Sequence, residues 1–416
     1  MRILQISTHT TLRPRHGGQL RSHHIGRVIE AAGFDLKRLA IAYKTPDDPI
    51  DAREPLIDIS QSKAWWRMID NGPMELNDFF ALRAVLEERA LTEQVLHAIR
   101  AADPDVVMLE HPWMWPLVKG MELVASGRIR VIYNSQNVEA HLKRHILNEA
   151  GYKGVDKLLW QVEELESDLV RLSAAMTVCT KLDGDVFAGW GATRIVVANN
   201  GAVRPNYDHL VGILPQPLEQ CQKYALAIGS NHPPNLAGLK QLVTPALKFL
   251  RPLQRIVVAG GVCGPFNDWL QEQGLLAMAN DRMVLLGPVS ELCLNSLIAN
   301  ASVMLLPIPY GGGSNVKTAE ALLSGKRVVA TASAMRGFTE FQSLPAVDVA
   351  DNEQSFAEAI LEAFDAGSPA PYDGALLDSL LWDNTLAPIV ALLKDFASGR
   401  ASERGALQPH DQILQG

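Results

Sequence analysis

Cysteine is scarce and scattered: Cys179, Cys221, Cys263 and Cys293 are the only four, and no two make a CxxC pair. That spacing offers neither a disulfide framework nor a zinc knuckle, and it reads as isolated thiols in a reducing compartment. Long apolar runs are missing too, since no stretch reaches the roughly 18 residues of a membrane span. The opening MRILQIST passes straight into a strand-like segment, without the charged start and small-residue cleavage site of a secretory leader. The expected location is therefore the cytoplasm. Positive charge is in deficit: 38 Lys and Arg against 46 Asp and Glu leave a net charge of -8. No basic stretch offsets it, so nucleic acid is not an expected partner.

What is present is an ordinary globular composition, 47% hydrophobic, over 416 residues. One core does not grow that large, and two domains of about 200 residues are the natural arrangement. Short apolar runs alternate with amphipathic stretches throughout, which predicts α/β construction with parallel sheets. The first set of strands is 2–7, 36–43, 105–110, 130–135, 175–180 and 194–199, with helices at 18–33, 84–101, 137–149 and 153–173. The pattern then restarts with strands 224–230, 255–261, 282–287, 302–308 and 327–332. Helices are expected between them at 235–249, 266–274, 290–299, 315–324 and 353–366. Residues 201–222 are rich in Pro and Gly and read as a linker. The predicted organisation is a first Rossmann-like domain over 1–200 and a second over 223–375, with a helix at about 380–398 returning to the first. The polar tail 399–416 reads as disordered, and 44–82 as an irregular functional loop. Doubly wound sheets bind ligands beyond the carboxyl ends of their strands, so two such domains are expected to face one another across a ligand cleft.

The most informative segment is LLPIPYGGGSNVKTAEALLSGKRVVAT, 305–331. An apolar strand ends at Pro307, Gly311, Gly312 and Gly313 follow, and a helix is expected to start near Ser314. Consecutive glycines let backbone approach a ligand and adopt positive φ. The helix start offers free N–H groups and partial positive charge to a phosphate. Lys317 and Glu320 lie three apart on that helix and share one face. A cation for phosphate and a carboxylate for vicinal hydroxyls then stand on one surface. On spacing alone, a plain turn followed by a surface ion pair accounts for these residues equally well.

This segment resembles the nucleotide-binding motif of retaining glycosyltransferases of family 4, in the subgroup with a GGGSNVKTAEAL-type donor motif. The resemblance runs through RPRHGGQLR (13–21), IYNSQNVEAHL (132–142), VANNGAV (197–203), LAIGSNHPPNLAGLKQLV (226–243), LLGPVSEL (285–292) and the late Trp382. It implies the GT-B fold and transfer of a sugar from a nucleoside diphosphate sugar to an acceptor hydroxyl with retention. A carbohydrate or lipid-linked acceptor, in polysaccharide or glycolipid assembly, goes with it. The resemblance also implies roles. Glu320 would accept from the ribose hydroxyls, and Lys317 with the 311–313 loop and Ser314 would neutralise the diphosphate. Gly17 and Gly18 would bring the first loop to the donor phosphates, and backbone around Gly287 and Val289 would contact the base. The chain departs from the commonest pattern in three places. Gly312 stands eight before Glu320, where a glutamate is usual. Ser230, Asn231 and Asn235 replace the usual arginine and lysine, and Gln136 replaces a frequent histidine. Gln136 is therefore expected at a strand's carboxyl end, positioning a sugar hydroxyl while the leaving phosphate takes the acceptor's proton.

Other candidates carry less. His111 directly follows a strand at the edge where catalytic groups collect, and serves equally as a structural strand-end residue. Asp183–Gly184–Asp185 and Asp103–Pro104–Asp105 mimic a metal-binding DxD, but a helix start and a strand start account for them. His141 and His145 have zinc-compatible spacing without a third ligand nearby. No metal or other cofactor is expected. Neither GGVCGP (260–265) nor RHGGQLR fits the dinucleotide fingerprint. Trp65 and Trp66, beside Lys63 and Arg67, suit either a peripheral contact with the inner membrane face or a satellite core. A sugar-nucleotide epimerase and a non-catalytic sugar-nucleotide-binding protein are the alternative functions on such a scaffold.

Overall fold

The computed structural model describes residues 1–14, 17–45, 51–215, 218, 221, 223–370 and 372–399. The chain divides into two compact units, Met1–Asn199 with Leu386–Gly416, and Asn200–Thr385.

The first unit carries seven strands: β1 (Arg2–Ser7), β2 (Asp35–Ala42), β3 (Leu56–Asp58), β4 (Val106–Leu109), β5 (Arg130–Asn134), β6 (Ala175–Val178) and β7 (Ile195–Val197). They form one sheet in the order β3-β2-β1-β4-β5-β6-β7, and every pairing is parallel. Order reverses between β1 and β4, where Ile6 stands opposite Leu109. The second unit carries β8 (Lys223–Ile228), β9 (Gln254–Ala259), β10 (Met283–Leu285), β11 (Val303–Leu306), β12 (Arg327–Ala330) and β13 (Val347–Val349). Their order is β10-β9-β8-β11-β12-β13, again wholly parallel, with the reversal between β8 and β11. Both units are thus doubly wound Rossmann-like domains, as the strand spacing predicts.

Residue alternation explains why both faces of the second sheet are dry. Ala225, Ala227, Ile256, Val258, Val303 and Leu305 pack on one side. Tyr224, Leu226, Val257, Ala259, Met304 and Leu306 pack on the other. Strands covered on both faces read as continuous apolar runs, which is how they show in the sequence.

Two stretches need redrawing. The described part of the predicted linker lies on the second unit: Ala202 bridges to Leu381, and Asn300 Nδ2 donates to the carbonyls of Leu210 and Ile213. Residues 44–82 are not irregular where described, although 46–50 lie outside the described residues. They hold β3, a helix at Lys63–Asn71, a 3₁₀ turn at Met74–Leu76 and the start of a helix at Asn77–Glu87. Ser62 Oγ caps the first helix by accepting from Trp65 N–H at 3.0 Å, and donates to Glu88 at 2.7 Å. Gly72 and Pro73 break the helical period there, which hides it from a pattern search. After Trp382 the chain returns, and helix Ala387–Ala397 packs in the first unit with Arg130 4.4 Å from the Phe396 ring centroid. Of the expected disordered tail, only Gly399 falls among the described residues.

Candidate functional site

At the carboxyl edge of the second sheet, β11 runs into Pro307 and the glycine loop. Gly311 and Gly313 take φ of +148° and +62°, values that favour glycine, whereas Gly312 does not have positive φ. The loop is pinned from within its own unit. Arg336 Nε donates to the Gly313 carbonyl at 2.8 Å, and its guanidinium also reaches the Gly312 carbonyl at 3.1 Å. Ser314 is buried and engaged by Asn200, whose N–H donates to Ser314 Oγ at 3.0 Å and whose amide donates to the Ser314 carbonyl at 2.7 Å. The helix begins at Val316, just after the start that the sequence suggests, because Asn315 is the cap and accepts from Lys317 N–H.

Lys317 and Glu320 therefore stand on the first turns of helix Val316–Leu323. Lys317 Nζ donates to Asn235 Oδ1 at 3.3 Å, and Asn235 Nδ2 donates to the Ser230 carbonyl at 3.0 Å. Ser230 follows β8 and the glycine loop follows β11, so these groups meet where strand order reverses. A narrow crevice there is lined by Ile228, Gly229, Asn235, Pro307, Ile308 and Lys317. Burial pulls the Lys317 ammonium down to about 8, opposed by Glu320. Burial likewise pushes the Glu320 carboxyl up to about 7, opposed by Lys317. Glu320 accepts no hydrogen bond among the described residues. The nearby Tyr207 hydroxyl is pushed up to about 12 by burial and by Glu320. An ammonium and a carboxyl are both held short of solvation, and an anion with hydroxyls would relieve both.

Tight backbone packing shapes this edge. A Cβ built on Gly238 would lie 1.4 Å from the Pro307 carbonyl oxygen. A Cβ built on Gly260, at φ +107°, would lie 2.2 Å from the Gly229 carbonyl oxygen, and the Gly260 N–H donates to the Gly287 carbonyl at 2.7 Å. Gly287 has φ +66°, and Val289 is half-buried beside it against the core. Gly238→Ala is expected to lower stability by about 1–3 kcal/mol, the usual range for overpacking. A urea midpoint equal to that of the parent would contradict the backbone contact.

The carboxyl edge of the first sheet holds a buried polar network. Glu110 accepts from Gln5 Nε2 at 2.7 Å, Ser22 Oγ at 2.7 Å and Asn134 Nδ2 at 2.6 Å. Gln136 is buried, and its Nε2 donates to Ser22 Oγ at 3.1 Å and to the Gly18 carbonyl at 3.2 Å. Gly17 and Gly18 are the first residues of helix Gly17–Ala31, so Gln136 fastens the start of that helix. Arg15 and His16, which precede it in the sequence, lie outside the described residues. His111 is half-buried, edge-on to His9 with centroids 5.4 Å apart, and its Nδ1 has no hydrogen-bond partner among the described residues. Sequence reasoning missed Arg336, Asn200 and Glu110: Asn200 lies within VANNGAV, but nothing in that segment signals its bonds to Ser314, and Arg336 and Glu110 sit in no recognisable motif.

The weaker candidates are occupied. Asp183 exchanges hydrogen bonds with Thr180 at a helix cap, and Asp185 pairs with Lys181. Asp103 and Asp105 both pair with Arg2. His141 lies edge-on to Trp190. No three His, Cys, Asp or Glu side chains converge as a metal-binding group among the described residues. Of the pair, Trp65 is buried in the core and Trp66 is exposed. Among the described residues no helix is long and apolar enough to cross a membrane.

Residues 222–366 match the family model described as Glycosyl transferases group 1. No curated protein matches the chain. Among solved structures, sucrose-phosphate synthase from Thermosynechococcus elongatus is similar at a TM-score of 0.68 and 16% identity, over 95% of this chain and 99% of that one. The catalytic domain of starch synthase IV from Arabidopsis thaliana, bound to ADP and acarbose, is similar at 0.62 and 13%, over 97% and 99%. HepE of Anabaena, in complex with UDP and glucose, is similar at 0.60 and 12%, over 97% and 100%. At such identities the likeness shows the fold, a chain of two doubly wound units.

Proposed function

We propose that this chain is a glycosyltransferase that takes a sugar from a nucleoside diphosphate sugar and passes it to an acceptor hydroxyl with retention of configuration. One observation carries the reading. Lys317 and Glu320, which accepts no hydrogen bond among the described residues, share a helix face beside the glycine loop, where the strand order of the second unit reverses. The match of 222–366 to a glycosyltransferase family supports it, as do structural neighbours that hold UDP or ADP.

In this reading Lys317, with the N–H groups at the start of its helix, takes the charge that grows on the diphosphate as the glycosidic bond breaks. Glu320 accepts hydrogen bonds from the ribose hydroxyls. Backbone at Gly287 and Val289 meets the base, and Ser230 and Asn235 hold the phosphate side through Lys317. With no glutamate at Gly312, the glycine-loop N–H groups take part of the sugar's contacts. The departing phosphate receives the acceptor's proton, so no strong enzymic base is required. Gln136 then acts mainly by fixing the helix that begins at Gly17, and His111, whose Nδ1 makes no hydrogen bond among the described residues, stays available at the first unit's edge for a sugar or acceptor contact. The acceptor is a carbohydrate or a lipid-linked carbohydrate in polysaccharide or glycolipid assembly.

The test is nucleoside diphosphate release from UDP-, ADP- and GDP-sugars, with and without acceptors. Conversion of a sugar nucleotide to its isomer without nucleotide release would favour an epimerase, and binding without turnover a non-catalytic protein. Turnover is expected to survive exhaustive chelation, because the protein supplies the positive charge itself. A loss on adding EDTA, restored by manganese, would contradict that.

A further inference from the structure

On the far side of β1 from His111, at the carboxyl ends of β2 and β3, Tyr43 and Trp66 border an open hollow with Lys44, Asp58, Ser60 and Gln61. Both aromatics are unusually bare, at 39% and 42% exposure. They are also fixed. Tyr43 stacks on buried Trp65 at 5.1 Å and 23°, and Trp66 stands edge-on to Tyr43 at 5.8 Å and 90°. Trp66 Nε1 donates to the Ser60 carbonyl at 2.8 Å, which locks the indole. Asp58 is held by Lys44 N–H, Ser60 N–H and the Ser60 hydroxyl. The Gln61 amide and the Lys44 ammonium make no hydrogen bond among the described residues.

We infer that this hollow is a carbohydrate-binding subsite, and, resting on the transfer reading above, that it holds a sugar unit of the acceptor. A pyranose has one face of C–H groups, whose partial positive charge suits the negative face of an aromatic ring. Its rim of hydroxyls needs both donors and acceptors, which the Gln61 amide, the Lys44 ammonium and the Asp58 carboxylate provide. Rigid aromatic walls with a few free polar groups are the make-up of a small-ligand site. A lipid surface fits less well, because the Asp58 carboxylate lies in the hollow and repels anionic headgroups.

The test titrates the full chain with maltotriose, cellotriose and chitotriose by saturation-transfer NMR, with phosphatidylglycerol vesicles as a separate arm. Binding of UDP, ADP and GDP is measured on the same samples. At least one trisaccharide is expected to bind, and Trp66→Ala is expected to weaken it tenfold or more with nucleoside diphosphate affinity unchanged. Gln61→Ala removes only an exposed side chain, so it tests the hollow without disturbing the aromatic stack, and the same direction is expected. Binding of no trisaccharide, or binding indifferent to both variants, overturns the subsite. Vesicle binding that Trp66→Ala abolishes, without sugar binding, overturns it in favour of a membrane contact. Failure of the transfer reading shows separately, as absence of binding of UDP, ADP and GDP alike to the unaltered chain.

Discussion

Replacing Lys317 with alanine is expected to lower turnover about 100-fold while leaving the fold intact. The magnitude is that of removing one prearranged charge stabiliser from a transition state. Lys317 suits that task because its ammonium is costly when the site is empty. Burial holds it down to about 8, and among the described residues the Asn235 amide oxygen at 3.3 Å is its one hydrogen-bond partner. A diphosphate whose charge grows during bond breaking repays that cost at the moment it matters. Stability should change little, since truncation removes a poorly solvated charge and leaves the Glu320 carboxyl near its neutral form. Lys317→Arg is not expected to restore the rate, because a planar guanidinium cannot occupy the ammonium's position in the narrow crevice. The measurements are steady-state nucleoside diphosphate release and a thermal midpoint. Unchanged turnover in the alanine variant would remove Lys317 from the chemistry.

The central strands of both units are legible because they are covered on two faces and therefore read as short apolar runs, RILQIS or VMLL, whereas the three-residue edge strands β3 and β13 escape such a pattern. The glycine loop and the Lys317–Glu320 pair were legible for a different reason: phosphate chemistry at a helix start demands local residue types at fixed spacing. What could not be read was everything set by distant partners. Arg336 grips the carbonyls of Gly312 and Gly313 from 24 and 23 residues away, and Asn200 holds Ser314 across 114. An arginine in SAMRGF or an asparagine before a glycine carries no sign of such a bond. Glu166 shows the same limit. In EELESD it reads as part of a solvated helix face, yet it is fully buried and accepts from Tyr133 Oη and the N–H groups of Glu139 and Ala140. Gln136 lies two residues beyond the end of β5, and its amide N–H groups donate to Ser22 and Gly18. Strand position is local information; the direction of a side-chain amide depends on which helix packs above it.

Affinity for UDP-glucose, or for whichever nucleotide sugar the release assay selects, is expected to peak in a narrow band between about pH 7 and 8. The two limits come from the two groups at the site. Glu320 is raised to about 7 by burial, so below that value it is increasingly protonated and offers ribose hydroxyls a poorer acceptor. Lys317 is lowered to about 8 by burial, so above that value it is increasingly neutral and holds the diphosphate less well. The diphosphate diester of a nucleotide sugar stays ionised throughout, so the ligand adds no limb of its own. Bound diphosphate favours the ammonium, which should move the alkaline limb upward and draw a proton from solution. Glu320→Gln keeps the shape and removes the titration: affinity at pH 8 should fall about tenfold, as for loss of a hydrogen bond to a charged acceptor, and the acid limb should vanish. Lys317→Ala should instead erase the alkaline limb. Calorimetric titrations in two buffers of different ionisation enthalpy would read both the affinity and the proton uptake. An affinity flat from pH 6 to 9, or an acid limb that persists in Glu320→Gln, would place the nucleotide elsewhere on the molecule.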